Sequence, residues 1–210
     1  MTAQGSISGV PVEDLTPGVQ AELSRLSDEN ALLRASMAEL RARLEEMERS
    51  SEKDALTGLP NRRAYEVAVD RRVTMSGGAV RDCLAVLDID HFKVINDSFG
   101  HAAGDEILRG FARVARGTLR DRDMVARIGG EEFAILFPDT SVEQAMLICD
   151  RLRTEIAHSS LYSGMTGVRV TVSGGVAPLG KAGLEQALQT ADQALYRAKR
   201  DGRDRLAIAA

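Results

Sequence analysis

The stretch Met124-Val125-Ala126-Arg127-Ile128-Gly129-Gly130-Glu131-Glu132-Phe133-Ala134-Ile135-Leu136-Phe137 governs how the rest of the chain is read. Two short apolar runs, Met124 to Ile128 and Glu132 to Phe137, flank a Gly-Gly pair, the pattern of a β-hairpin. Glycine lets backbone come close to a bulky ligand and permits left-handed torsions. Two acids, Glu131 and Glu132, stand at the tip. Alone, a Glu-Glu pair reads as a solvated turn; the glycines before it tilt the reading toward a working one.

Upstream, Cys83 to Ile89 is a continuous apolar run rich in β-formers, which predicts a buried strand. It ends in Asp88-Ile89-Asp90. A buried carboxylate is costly unless paired or metal-bound, so acids at a strand end are seldom there for packing. If strand and hairpin are neighbours, one carboxylate from each can share a cation. Mg²⁺ is usually held by one or two carboxylates plus phosphate oxygens, and two such ions can polarise a phosphate and steady both attacking and leaving oxygens. His91-Phe92-Lys93 follows directly and offers backbone N–H groups to phosphate if it opens a helix.

The remaining elements follow from periodicity and breakers. Residues 54–63, with Gly58 and Pro60, form a turn. Helices are expected over Arg62 to Thr74, Asp105 to Leu119, Val142 to Ile156 and Leu184 to Arg200, with Gly100 and Gly104 as breakers before the second. Strands are expected over Val168 to Val176 and Leu206 to Ile208. A tight hairpin together with helical crossovers predicts an α/β fold of the α+β kind, a mixed, mostly antiparallel sheet flanked by helices. Lys199 and Arg203 lie at the end of the last long helix, where cations are favoured by the dipole.

The N-terminal part differs. Residues 1–18, holding Gly, Ser, Pro and Thr, read as a flexible arm. Leu23, Leu26, Asn30, Leu33, Met37, Leu40, Leu44 and Met47 then alternate in steps of three and four. With Leu23 at heptad position a, Leu26, Leu33, Leu40 and Met47 fall at d, and Asn30, Met37 and Leu44 at a. Leu at d with one Asn at a favours a parallel two-stranded coiled coil over residues 19–53. The competing reading is an amphipathic helix lying on its own domain. Residues 54–210 form the globular domain.

Composition narrows the classes. The 210 residues carry a net charge of −4 without a basic block, which argues against a nucleic-acid duplex as partner. Cys83 and Cys149 sit in apolar contexts and read as buried thiols. No apolar run approaches the roughly 18 residues of a membrane span, no signal peptide is evident, and a cytoplasmic location is expected.

Asp54-Ala55-Leu56-Thr57-Gly58-Leu59-Pro60-Asn61-Arg62, Asp88 to Asp97, Phe99-Gly100-His101, Gly104-Asp105, Arg127 to Phe133, Ala191-Asp192, Tyr196 to Lys199 and Gly202-Arg203 together resemble, in order and spacing, the GGDEF family of diguanylate cyclases, here in a Gly-Gly-Glu-Glu-Phe form. The resemblance implies a palm-like nucleotidyl cyclase fold. It also implies that two GTP molecules are joined into cyclic di-GMP with release of pyrophosphate. Two Mg²⁺ ions per site, with Mn²⁺ as an alternative, would be held by Asp88, the Ile89 carbonyl and Glu132. Glu131 would act at the ribose 3′-hydroxyl. Asn96 and Asp105 would read guanine, and Gly129 and Gly130 would leave room for the substrate. Phe92 and Lys93 amides, with the Lys199 and Arg203 side chains, would hold phosphates. Arg120 and Asp123, with five residues between Asp123 and Gly129, match the family's product-inhibition pattern, with Arg151 assisting. Each domain would bind one GTP, so a homodimer through the coil would be needed, and the arm or coil could take a protein partner. A catalytically silent cyclic di-GMP receptor and a coiled-coil signalling scaffold are the rival readings.

Overall fold

The computed structural model describes residues 6–7, 10–11, 16–50, 52–75, 81–161, 169–180 and 183–209. The chain divides into two compact units, Met1–Ser50 and Ser51–Ala210.

In the first unit, β1 (Ser6–Ile7) and β2 (Val10–Pro11) pair antiparallel within the segment expected to be a flexible arm, most of which lies outside the described residues. Helix α1 runs from Pro17 to Ser50. Proline is well placed at a first helical position, where its missing N–H has no partner to lose. The pairs Arg25–Glu22 and Arg43–Glu39 decorate its surface, each with an N···O distance of 2.7 Å. The heptad stripe is exposed: Leu33 and Leu40 each at 60%, Leu44 at 58% and Met47 at 69%. An apolar row of this length, left uncovered, is the surface a second helix would bury.

The second unit contains α2 (Arg62–Met75), β3 (Asp82–Ile89), α3 (Phe92–Phe99), α4 (His101–Thr118), β4 (Met124–Arg127), β5 (Glu132–Phe137), α5 (Val142–His158), β6 (Val172–Leu179), α6 (Gly183–Arg200) and β7 (Leu206–Ile208). The sheet order is β4-β5-β3-β6-β7, antiparallel except for the parallel β6–β7 pair. This is the expected mixed, mostly antiparallel sheet. Strand β3 lies at its centre and is buried along its whole length. Its side chains alternate between faces. Cys83, Ala85, Leu87 and Ile89 join a core with Ile107, Phe111, Leu152 and Ile156 of α4 and α5. Leu84 and Val86 join a second core with Tyr65, Val69, Ala191 and Leu195 of α2 and α6.

Two expectations change. Strand β6 spans Val172–Leu179 rather than residues 168–176, and Val168 lies outside the described residues. Its limits are set by its partner, because the ladder runs from Ile89 opposite Val172 to Asp82 opposite Leu179. The apolar pattern of the strand itself does not mark those ends. It also carries Gly174 and Gly175 in its interior; a methyl on Gly175 would run into the α6 backbone at the Ala191 carbonyl and the Leu195 amide. Helix α6 lies this close because it presents Ala187, Ala191, Ala194 and Ala198. Gly104 is not a breaker: α4 begins at His101, after Gly100 at φ 83°, and passes through Gly104. Among the described residues, no helix is long and apolar enough to cross a membrane.

Candidate active site

The alternation of β3 places Asp88 on the same face as Leu84 and Val86, beneath α6. Its Cα partners are Glu132 on β5 and Ser173 on β6. Directly opposed residues share a sheet face with Cβ atoms about 5 Å apart, so Asp88 and Glu132 form a cross-strand pair of acids. From α6, Lys199 reaches down and sets its Nζ 2.7 Å from Asp88 Oδ2. The reading of Lys199 as mere helix-end charge gives way to this ion pair. Burial raises the Asp88 carboxyl above the usual aspartate range; Lys199 opposes this, and the Glu132 and Asp90 charges add to it. Glu131 is likewise held above the ordinary glutamate range, by burial first and then by Asp88 and Glu132, against the pull of Lys199.

Asp90, two residues on, has a different task. Its carboxylate accepts from Ser173 Oγ at 2.7 Å, Thr171 Oγ1 at 2.8 Å and the Asp204 amide at 3.1 Å. It therefore ties the end of β3 to the loop carrying Arg203. Arg203 and Asp204 adopt φ 61° and 45°, a left-handed turn held by this bond and by Arg153, whose Nη1 lies 2.6 Å from Asp204 Oδ1. Nothing in the sequence distinguishes Asp90 from Asp88 except its distant partners.

The hairpin tip is closed by the Ile128 and Gly129 amides, which both donate to the Glu132 carbonyl, at 3.0 and 3.3 Å. Neither Gly129 nor Gly130 has a positive φ, so the expected left-handed torsion is absent. Gly129 is required for room instead: a methyl there would strike the Glu132 carboxylate, whereas one on Gly130 would meet open space. Arg127, quoted above only as part of a motif, clamps the turn. Its guanidinium donates to the Gly129 carbonyl at 3.1 Å and the Gly130 carbonyl at 2.6 Å, and from Nη1 to both Asp54 oxygens at 3.2 Å. From the opposite face, Phe133 stacks on Phe111 with centroids 3.8 Å apart, a contact worth about 1 kcal/mol beyond area burial.

The other expected residues fall into two groups. His91 takes φ 58° and turns the chain into α3, whose first residues are Phe92, buried, and Lys93, exposed. Their amides stand at a helix start, where N–H groups have no intrahelical acceptor. Asn96 lies one turn on, against Gly104, and its Oδ1 is buried with no hydrogen-bond partner among the described residues. Asp105 follows Gly104 and forms a 3.8 Å surface pair with Arg109. Separately, Arg120 and Asp123 close a turn, with the Arg120 amide 3.0 Å from Asp123 Oδ2. Asp123 Oδ1 is likewise buried with no hydrogen-bond partner among the described residues. Arg151 donates to the Thr118 carbonyl and lines a surface hollow of about 440 Å³ with Val114, Gly117, Thr118, Glu155 and Ser159. Buried acceptors left unpaired are uncommon in native proteins, and each invites a ligand or water.

Residues 51–205 match the family described as "Diguanylate cyclase, GGDEF domain". The chain belongs to the GGDEF family. It is 45% identical over 170 residues to the diguanylate cyclase DgcP of Pseudomonas aeruginosa, a match covering 79% of this chain and 25% of that one. The chain thus spans only a quarter of this curated relative's length. The crystal structure of the coiled coil and GGDEF domain of DgcB from Caulobacter crescentus, in complex with cyclic di-GMP, superposes with a TM-score of 0.71 at 35% identity, covering 90% of this chain and all of that one. Diguanylate cyclase SiaD in complex with its activator SiaC, from Pseudomonas aeruginosa, gives a TM-score of 0.71 at 33% identity over 91% of this chain and 74% of that one.

A divalent cation suits this GGDEF site. The donors at hand, the Asp88 and Glu132 carboxylates with the Ile89 carbonyl, are all oxygens, as Mg²⁺ and Mn²⁺ require. The Lys199 ammonium already holds a cationic place on Asp88. Among the described residues no cluster of three or more His, Cys, Asp or Glu side chains forms a closed cage. A cation here would complete its shell with phosphate oxygens and water.

Proposed function

We propose that this chain is a diguanylate cyclase, condensing two GTP molecules into cyclic di-GMP and releasing two pyrophosphates. The observation that carries the reading is the cross-strand pair of Asp88 and Glu132 beside the glycine turn, with Lys199 on Asp88. In each half-reaction the 3′-oxygen of one GTP bonds to the α-phosphorus of the other. The bond from that phosphorus to the bridging oxygen breaks, and the hydroxyl proton leaves. Phosphoryl transfer of this kind needs positioning and charge neutralisation more than covalent chemistry.

The residues divide that labour. Asp88, Glu132 and the Ile89 carbonyl would hold Mg²⁺, two ions per site, with Mn²⁺ able to substitute, and the ions would supply positive charge against the phosphates. Glu131 orients the 3′-hydroxyl. The Phe92 and Lys93 amides, Lys199 and Arg203 hold the phosphates, the last on the turn that Asp90 anchors. Asn96 and Asp105 accept from the guanine N–H groups, a pattern adenine lacks. One domain holds one GTP, so two must face each other, and the exposed stripe of α1 brings two chains together at high effective concentration. Product binds at Arg120, Asp123 and Arg151 and inhibits. SiaD's complex with an activator supports a regulatory protein partner for this chain as well.

Incubation of the purified protein with GTP and Mg²⁺, after removal of any bound product, should yield cyclic di-GMP by chromatography. Glu132→Ala should abolish the yield; wild-type turnover in that variant would sink the assignment.

A further inference from the structure

We propose that Arg153 is a positioning residue for the reaction: it holds the Asp204 carboxylate away from the neighbouring Arg203, and so keeps the Arg203 guanidinium open to phosphate. This rests on the reading of Arg203 as a phosphate holder.

The turn after α6 is unusual in its backbone. Gly202, Arg203 and Asp204 take φ 113°, 61° and 45°, three left-handed residues in a row. Glycine enters that region freely and aspartate with some ease, but arginine does so only where its surroundings compel it. Here they do so from both sides. The Arg203 amide donates to the Ala198 carbonyl at 3.1 Å, and the Asp204 amide donates to the buried Asp90 carboxylate, also at 3.1 Å. An aspartate next in sequence is a ready counter-ion for an exposed arginine, yet the Asp204 carboxylate is engaged elsewhere. Arg153 Nη1 lies 2.6 Å from its Oδ1, and Arg169 Nη2 lies 3.1 Å from its Oδ2. Arg153 is the firmer of the two. Its side chain is shielded, and Asp150, one turn back on α5, takes its Nε at 2.9 Å, whereas Arg169 is exposed. Among the described residues the exposed Arg203 side chain has no hydrogen bond or ion pair. A cation on a backbone held from both sides, with its head group unclaimed, is arranged for an anion that arrives from outside.

The test is a cycle of variants read by calorimetry, with Mg²⁺ and the α,β-methylene analogue of GTP, which cannot turn over. Arg203→Met should weaken binding roughly tenfold, as loss of a charged hydrogen bond does. Arg153→Met should reproduce much of that loss, and Arg153→Lys, which can still pair with Asp204, should recover part of it. On the Arg203→Met background, Arg153→Met should change affinity by less than about twofold, because it acts through a group already removed. Adding Asp204→Asn to Arg153→Met should win affinity back, since the carboxylate that captures Arg203 is gone. A merely structural Arg153 gives the opposite pattern: losses that add on the Arg203→Met background and deepen with Asp204→Asn. Either result would overturn the proposal, as would a folded Arg153→Met protein that binds the analogue as wild type does. Where Arg153→Met does not fold by circular dichroism, Arg153→Gln takes its place in the cycle; if neither folds, Arg153 is structural and the proposal is overturned. An Arg203→Met protein with wild-type affinity would refute the phosphate reading of Arg203 and this inference with it. A loss in Arg203→Met without one in Arg153→Met would refute the inference alone.

Discussion

Strand β3 carries a buried aspartate at each end, both on the face that looks toward α2 and α6. At the start, Asp82 is 2% exposed and fully served. Arg72 donates to it twice, each at 2.8 Å, and the Asp139 amide donates at 2.7 Å. At the end, Asp88 is 5% exposed and has one lysine, with Glu132 and Asp90 charges beside it. One acid is satisfied by the fold, and the other is left short of positive charge. The contrast separates a structural carboxylate from one held ready for a cation and phosphates, although both are aspartates on one strand.

The largest effect should come from Asp88→Asn. Removing a charge-stabilising ligand from a preorganised site typically lowers turnover by about a hundredfold to a thousandfold. Stability, read by thermal melting, should stay level or rise, since a crowded buried carboxylate is relieved and Lys199 is partly exposed; site residues often trade stability for function. Asp82→Asn should do the reverse. It breaks a bidentate ion pair whose Arg72 partner is 38% exposed, so the loss should be about 2 kcal/mol rather than the 3–5 of a fully buried pair. The folded fraction should keep its specific activity. The comparison breaks if Asp88→Asn melts early with activity intact, or if Asp82→Asn inactivates protein that is still folded.

How much of this contrast could be read in advance depends on where each partner sits. The coil stripe, the hairpin and the central strand were legible because their signals are periodic or local. The heptads run through α1, apolar runs flank the glycines, and Cys83 to Leu87 is uniformly apolar. Asp82 lay outside the strand expected from that run, and its partners Arg72 and Asp139 come from α2 and from the loop after β5. Asp90 is distinguished from Asp88 by Thr171, Ser173 and Asp204, more than 80 positions away in the chain. Gly104 looked like a helix breaker because a sequence shows what a glycine permits locally, and not which side chain from another helix fills the space. Lys199 had a sufficient local explanation in the helix dipole, and only the topology of α6 over β3 brings it to Asp88.

A third acid, Asp54, tests the contrast at its weakest point. It belongs to the turn that opens the second unit, yet through Arg127 it touches the carbonyl-lined hairpin. Burial works to raise its carboxyl, but the Thr57 hydroxyl and amide and the Arg127 guanidinium outweigh burial and hold it below the usual aspartate range. A depressed folded-state value means that the stabilisation is fully present above the unfolded value, near pH 4, and is lost as pH falls through the folded value. Asp54→Asn should therefore melt below wild type at pH 7, by about 1 kcal/mol as befits a half-buried charged hydrogen bond. The gap should narrow as pH drops under about 4 and close once pH lies below the depressed folded value, where wild type is protonated too. Because Arg127 would keep its bonds to the Gly129 and Gly130 carbonyls, turnover at pH 7 should fall only a few-fold. A loss as large as that of Asp88→Asn would place Asp54 with the working acids and move the boundary drawn along β3.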